Sequence, residues 1–176
     1  MRTLRDDVIN REQTPISYDD IRKVLDRHHI ETNLCVLEDL PKYPTTRDIF
    51  KGKQIAIVLC TMFKNDHPTN IAHWITMFKR GVAFEVYDSL GNSLVQLVHK
   101  LNAGTPLLRW AKGKQIRQNS HKHQKSIDKI SDCGCFAATR IMNKAKSNSV
   151  FHTWLTHSFI NPDLSVSILC YFDLLV

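Results

Sequence analysis

The chain lacks several features that would each decide its class. No stretch approaches the roughly 20 consecutive apolar residues that a helix needs to cross a bilayer, so no membrane-spanning helix is expected and a membrane is not among its partners. No secretory signal opens the sequence, and the protein is not expected to be secreted. There are no repeats and no low-complexity tract, which sets aside solenoid and collagen-like classes. The cysteines are odd in number: Cys35, Cys60, Cys133, Cys135 and Cys170. Their spacing gives no disulfide framework, and free thiols in a reducing compartment are expected instead. Acidic residues are also in deficit, 17 against 24 Lys and Arg, for a net charge of +7 and a pI near 9.3.

What is present suits an enzyme-sized fold. With 176 residues, 43% of them hydrophobic, the chain forms one domain over 1–176 with enough length for a real core. Residues 1–14 are charged and expected to be loosely held. The pattern is α+β. Ser17 caps a helix from about Tyr18 to His28, with Asp20 as its capping-box partner and Ile21, Val24 and Leu25 buried. Strands follow near Cys35, over Ile55 to Cys60, and as a hairpin over His73 to Asp88. Ser93 opens a helix with Leu94, Leu97, Val98 and Leu101 at helical spacing, closed by Gly104. A short strand lies near Gln115 to Arg117. Helices are predicted over Val150 to Phe159 and, with Asn161 as cap and Pro162 at the first position, over Pro162 to Leu174.

The hairpin carries chemistry. Ile75 to Phe78 and Val82 to Val86 are rich in β-branched and aromatic residues. A two-residue Arg80-Gly81 loop pairs Lys79 with Val82 and therefore sets His73 directly opposite Asp88. Opposed residues share a face, with Cβ atoms roughly 5 Å apart. That is hydrogen-bonding reach for an imidazole and a carboxylate. A one-residue slip would move Asp88 to the wrong face.

Cys133 has a different setting. Ser131 or Asp132 caps a helix running through Cys-Gly-Cys-Phe-Ala-Ala-Thr-Arg-Ile-Met-Asn-Lys-Ala-Lys, with Phe136, Ala137, Ile141 and Ala145 near one face and basic residues late. Cys133 then lies in the first turn, where unpaired N–H groups and the positive end of the helix dipole favour a thiolate. A neighbouring imidazolium lowers the thiol pKa further. Gly134 is expected to leave the helix start open to a substrate chain. Base, orienting carboxylate and thiol together read as a cysteine peptidase, in the chain order His73, Asp88, Cys133.

These residues also carry a resemblance. His73-Trp74, the strand ending Tyr87-Asp88-Ser89-Leu90-Gly91, and Asp132-Cys133-Gly134 before a helix resemble the adenain-like and ubiquitin-like-protein-protease superfamily. The segments Asn33 to Pro41 and Gln54 to Leu59 look like those preceding the catalytic His in the viral maturation proteases of Maverick-type elements and virophages. The likeness covers about residues 17–175. It implies a papain-like core of the adenain type, a central mixed sheet flanked by helices, with the triad in permuted order. It implies His73 as general base, Asp88 as its orienter, Cys133 as nucleophile, and an upstream Gln lining the oxyanion hole. Gln124 is chosen for that role, since Asn119-Ser120-His121-Lys122-His123-Gln124 looks like the family's approach to it; Gln118 is the substitute. Trp74 would roof the channel for the scissile peptide, although strand alternation by itself favours a core aromatic. Asp132 is read first as a helix cap.

Basic residues concentrate from Arg109 to Lys129: Arg109, Lys112, Lys114, Arg117, Lys122, Lys125 and Lys129, with His121 and His123. This is a footprint for nucleic acid or an acidic partner, and the resemblance to virion proteases implies DNA or a peptide as activator. No cofactor is required by the sequence and no metal is assigned. His121-x-His123 with Cys133-x-Cys135 offers four zinc-type groups, but one-residue spacers suit tetrahedral chelation poorly. The expected function is a thiol endopeptidase that trims viral capsid or virion precursors at Gly-containing sites, in the virion and the host cell interior. The rivals are a ubiquitin-like-modifier protease, an acyltransferase on the same triad, and, from another class, a basic nucleic-acid-binding module with a His/Cys zinc site.

Overall fold

Among the described residues five strands lie side by side in the order in which the chain makes them; short connections join the three central strands as antiparallel neighbours, and each outer strand pairs parallel with its neighbour. The computed structural model describes residues 6–7, 9–10, 14–37, 49–65, 67–102, 106–125, 132–159 and 161–175. β1 (Asn33–Val36) runs parallel to β2 (Ile55–Lys64). β2, β3 (His67–Arg80) and β4 (Ala83–Asp88) are antiparallel neighbours, and β5 (Ile116–Gln118) returns parallel to β4. The central strands are apolar on both faces, because helices cover both.

One face carries Ile55, Ile57, Trp74, Phe78 and Tyr87. Against it pack α1 (Tyr18–Arg27), α4 (Cys133–Met142), α5 (Asn148–Ser158) and α6 (Pro162–Leu175). The other face carries Ala56, Val58, Ile75, Met77 and Val86, covered by α2 (Leu94–Leu101) and α3 (Pro106–Ala111). This is the α+β architecture expected from the sequence, a central mixed sheet flanked by helices. Among the described residues no helix is long and apolar enough to cross a membrane.

The local signals of α1 hold. Ser17 and Asp20 complete a reciprocal capping box, and Ile21, Val24 and Leu25 are buried. Ser93 forms a second box, with Gln96. Several boundaries differ. α2 ends on Asn102, whose left-handed φ of 48° takes the terminating role given to Gly104, which lies outside the described residues. β3 begins at His67, six residues before the expected start. α3 was not expected. α4 stops at Met142 rather than Lys146, and Ala145 beyond it is exposed. Positions 134 to 141 of α4 are buried on every side, because α1, α6 and the sheet enclose it. A one-faced pattern was therefore the wrong template. Ser131, Lys129 and residues 38–41 lie outside the described residues. Within 1–14, residues 6, 7, 9 and 10 are helical, and Tyr171 Oη donates to Asp7 at 3.2 Å.

The segment ahead of α1 crosses the start of α4. Ile16 is buried, and its carbonyl accepts the Trp74 indole N–H at 3.3 Å. A Cβ on Gly134 would lie 1.5 Å from Ile16 Cγ2 and 3.1 Å from Trp74 Cδ1. The space beside Gly134, expected to stand open for substrate, is thus filled by Ile16. Gly134→Ala should destabilise the fold by about 1–3 kcal/mol through overpacking. Adding Ile16→Ala should recover part of that loss, read as Tm of the single and double variants.

Candidate active site

His73 and Asp88 meet across the β3–β4 hairpin, in a different register from the expected one. The loop is Gly81-Val82, with Arg80 opposite Ala83 and Ile75 opposite Asp88. Gly81 has φ +63° and Val82 is not in the left-handed region. That pattern is a II′ turn, which places Gly first. Moving the loop by one residue shifts the pairing by two. Side chains alternate with a period of two, so the shift leaves His73 on the same face as before, diagonal to Asp88. The two side chains bond directly, His73 Nε2 to Asp88 Oδ1, at 2.5 Å.

Asp88 is held on all its acceptor sites. Oδ1 also accepts from Leu90 N–H at 3.0 Å, and Oδ2 accepts from Asn92 N–H at 2.9 Å and Asn92 Nδ2 at 2.8 Å. Its backbone is fixed by Asn119, which stands one residue past the end of β5. Asn119 Oδ1 accepts from Asp88 N–H at 2.8 Å and Asn119 Nδ2 donates to Asp88 O at 2.7 Å. The side-chain amide replaces the next peptide of the ladder.

Cys133 heads α4. Its thiol lies beside the His73 ring and the backbone N–H groups of Trp74 and Gly134, all of which favour its ionised form. Since Nε2 faces Asp88, Nδ1 is the ring nitrogen left for the thiol. Burial raises the Cys133 pKa, but the neighbouring His73 ring, its charge and the two N–H groups outweigh it, and the net shift is downward. Burial likewise lowers His73, yet the bonds and charges of Asp88 and Cys133 raise it to about 10. Asp88 is pushed up by burial and brought down further by His73, Leu90 and Asn92. Each shift favours the charged form: thiolate at Cys133, imidazolium at His73 and carboxylate at Asp88.

Gln124 is buried, and its Oε1 accepts from Ser89 Oγ at 2.7 Å. Gln118 is committed elsewhere: its Oε1 accepts the first N–H of α2, from Leu94, at 2.6 Å. Trp74 is buried in the α4 face of the core against Ile16 and Gly134. Asp132 occupies the N-cap position of α4, but its side chain makes no capping hydrogen bond there. Its role as cap is therefore corrected: the residue is wholly buried and contributes its carbonyl to Phe136 N–H at 2.9 Å.

The zinc reading is overturned by placement. Cys133 lies beside His73, Cys135 is buried in the core, and His123 pairs through Nδ1 with Tyr87 Oη at 3.0 Å and through Nε2 with His152 Nδ1 at 2.8 Å. Among the described residues no three His, Cys, Asp or Glu side chains are grouped to hold a metal. His123 also leaves the basic footprint. Burial first, then the neighbouring His152 and His121, lower its pKa to about 4. Arg109, Lys112, Arg117, Lys122 and Lys125 remain exposed. Cys35, Cys60, Cys135 and Cys170 are buried and Cys133 is partly exposed. Sequence reasoning missed Ser89, Asn92, Asn119, His152 and Ile16. Only Asn92 and Ser89, flanking the turn after Asp88, carried a local signal.

No protein-family model matches this chain, and no curated protein matches it. Solved structures do. The fold is that of the ASFV pS273R protease, at 15% identity and a TM-score of 0.52, covering 92% of this chain and 68% of that one. ChlaDub1 from Chlamydia trachomatis aligns at 11% identity with a TM-score of 0.37, over 99% of this chain and 79% of that one.

Two outcomes follow from the electrostatics. Brief alkylation at about pH 6, where an ordinary thiol of pKa near 8.5 is protonated, should label Cys133 first among the five cysteines, and His73→Ala should abolish that preference on mass-spectrometric mapping. His123 has a folded pKa below its unfolded value. The stability this confers is present above the ordinary His range and is lost as pH falls from about 6.5 towards 4. Tm should drop across that window, and His123→Gln, which keeps an acceptor and a donor, should reduce the drop.

Proposed function

We propose that this chain is a cysteine endopeptidase of the adenain-like type that cleaves viral capsid or virion precursors, as in Maverick-type elements and virophages. The observation that carries the reading is His73 hydrogen-bonded to Asp88 and set beside a thiol at a helix start, with shifts that favour the ion pair. The fold of the ASFV pS273R protease supports it.

In this reading Cys133 Sγ attacks the scissile carbonyl carbon. The developing oxyanion takes hydrogen bonds from Cys133 N–H, which as the first residue of α4 has no intrahelical acceptor, and from Gln124 Nε2. His73 gives its proton to the departing amine as the C–N bond breaks, leaving a thioester. Asp88 holds the imidazole meanwhile. Water then attacks the thioester with His73 as base, and the thiolate leaves as the carboxylic acid product forms. Trp74, backed by Ile16, is assigned the roof of the channel, which favours Gly before the cut. The exposed basic residues from Arg109 to Lys125 are assigned to DNA acting as activator, and the site of action to the virion and host cell interior.

A peptide library should show Gly preferred immediately before the cut, with Cys133→Ala inactive and Gln124→Ala slower by about 10²–10³ in kcat. Preference for large side chains there, or full turnover by Cys133→Ala, would sink the reading. Faster cleavage of a ubiquitin-like precursor than of a capsid protein would move the substrate to the modifier class. Filter binding across salt should show DNA affinity falling steeply as salt rises.

A further inference from the structure

We propose that Ser89 is a positioning residue that sets the sense of the Gln124 amide and so decides whether the oxyanion meets a donor or an acceptor. This rests on the peptidase reading and on Gln124 as the oxyanion donor.

A glutamine amide has a donor end and an acceptor end of nearly the same shape. In an oxyanion hole only the donor end helps, and a flipped amide would present a lone pair to a developing negative charge. Something must fix the sense. Ser89 is 1% exposed and follows Asp88 directly. Its Oγ donates to Gln124 Oε1 at 2.7 Å, which occupies the acceptor end and turns Nε2 away from Ser89. Its carbonyl accepts two further groups from the same loop, His123 N–H at 2.8 Å and Gln124 N–H at 3.0 Å. One residue therefore grips Gln124 by its backbone and by its side chain.

The loop has no room to find another seat. Ahead of Gln124, Asn119 ties it to the Asp88 backbone. Behind it, Lys125 N–H donates to buried Asp163 Oδ1 at 2.9 Å. Between these, Gly91 takes φ +70°, and a Cβ there would come within 2.9 Å of the His121 and Lys122 backbone. The turn after β4 and the 119–125 loop thus lie in backbone contact. With the loop fixed at both ends, the amide sense is the remaining freedom, and the Ser89 hydroxyl removes it. The carboxylate that orients the base and the hydroxyl that orients the oxyanion donor are then consecutive residues of one chain.

The test is a double-mutant cycle on turnover of a Gly-containing peptide. Ser89→Ala should lower kcat by about tenfold, the size of one net hydrogen bond, with KM little changed. Cys133 alkylation at about pH 6, which needs no oxyanion donor, should keep its rate. In a Gln124→Ala background Ser89→Ala should cost nothing more, and Ser89→Thr, which keeps the hydroxyl, should stay within a few-fold of the parent. An equal loss in both backgrounds overturns the proposal, since Ser89 would then act by another route. A silent Gln124→Ala in an active enzyme overturns it by removing Gln124 from the site. Loss of selective Cys133 labelling in the parent marks failure of the peptidase reading itself. One readout needs no turnover. The Gln124 side-chain amide NMR signal, assigned by its absence in Gln124→Ala, should be held in Ser89→Thr and shift or broaden in Ser89→Ala; an unchanged signal overturns the proposal.

Discussion

Everything at the site is referred to the Asp88 carboxylate, which is buried and could not stay charged there alone. Removing a carboxylate from water is costly unless hydrogen bonds and an opposite charge replace the lost solvation. Asp88 receives both: three N–H bonds from Leu90 and Asn92, and the His73 ring. Its negative charge makes the imidazolium favourable, and the imidazolium makes the thiolate favourable. The dependence is mutual around His73: Asp88 and Cys133 both favour the imidazolium, and the imidazolium favours the Cys133 thiolate.

The backbone around Asp88 is correspondingly over-determined. β5 supplies ladder bonds to β4 up to Val86, and then the Asn119 side chain carries the pattern one step beyond. From that point the chain turns into the loop bearing His121, His123 and Gln124. Burial, with His152 and His121 close by, keeps His123 neutral where it meets Tyr87 and His152. The neutral histidine also packs against Tyr87 and Phe136, which puts the loop on the same core that holds α4.

Much of this was legible in the sequence because it is local or periodic. The Ser17 cap, the amphipathic faces of α1 and α2, and the hairpin bearing His73 and Asp88 follow from spacing alone. The exact pairing did not, because Arg80-Gly81 and Gly81-Val82 are both plausible two-residue loops. Gly at the first position of a II′ turn was the signal that distinguishes them. The conclusion survived since a slip of two conserves the face. What spacing cannot show is contact between distant segments. Ile16 against Gly134, Ser89 against Gln124 and His123 against His152 are tertiary meetings with no periodicity to announce them. The all-round burial of α4 is of the same kind, since it depends on what encloses the helix.

β4 also explains why the thiol stays at its station. Two residues of this strand hold α4 near its two ends. Asp88 reaches Cys133 through His73, and Glu85 meets Arg140 in the last turn at 3.4 Å. Arg140 is fully buried; burial lowers its pKa to about 10 while Glu85 pulls the other way, so it stays charged. Its guanidinium also donates to Asn148 Oδ1 at 3.2 Å and to Lys146 O at 2.9 Å. From Glu85 to Asp88 is three strand steps, about 10 Å. From Cys133 to Arg140 is seven helical steps, also about 10 Å. Strand and helix are therefore commensurate between these anchors, and the ion pair at one end constrains the reach of the thiol at the other. A buried ion pair is a weak source of stability, but it tolerates little displacement. That suits a site where the Cys133 thiol must stay beside the His73 ring.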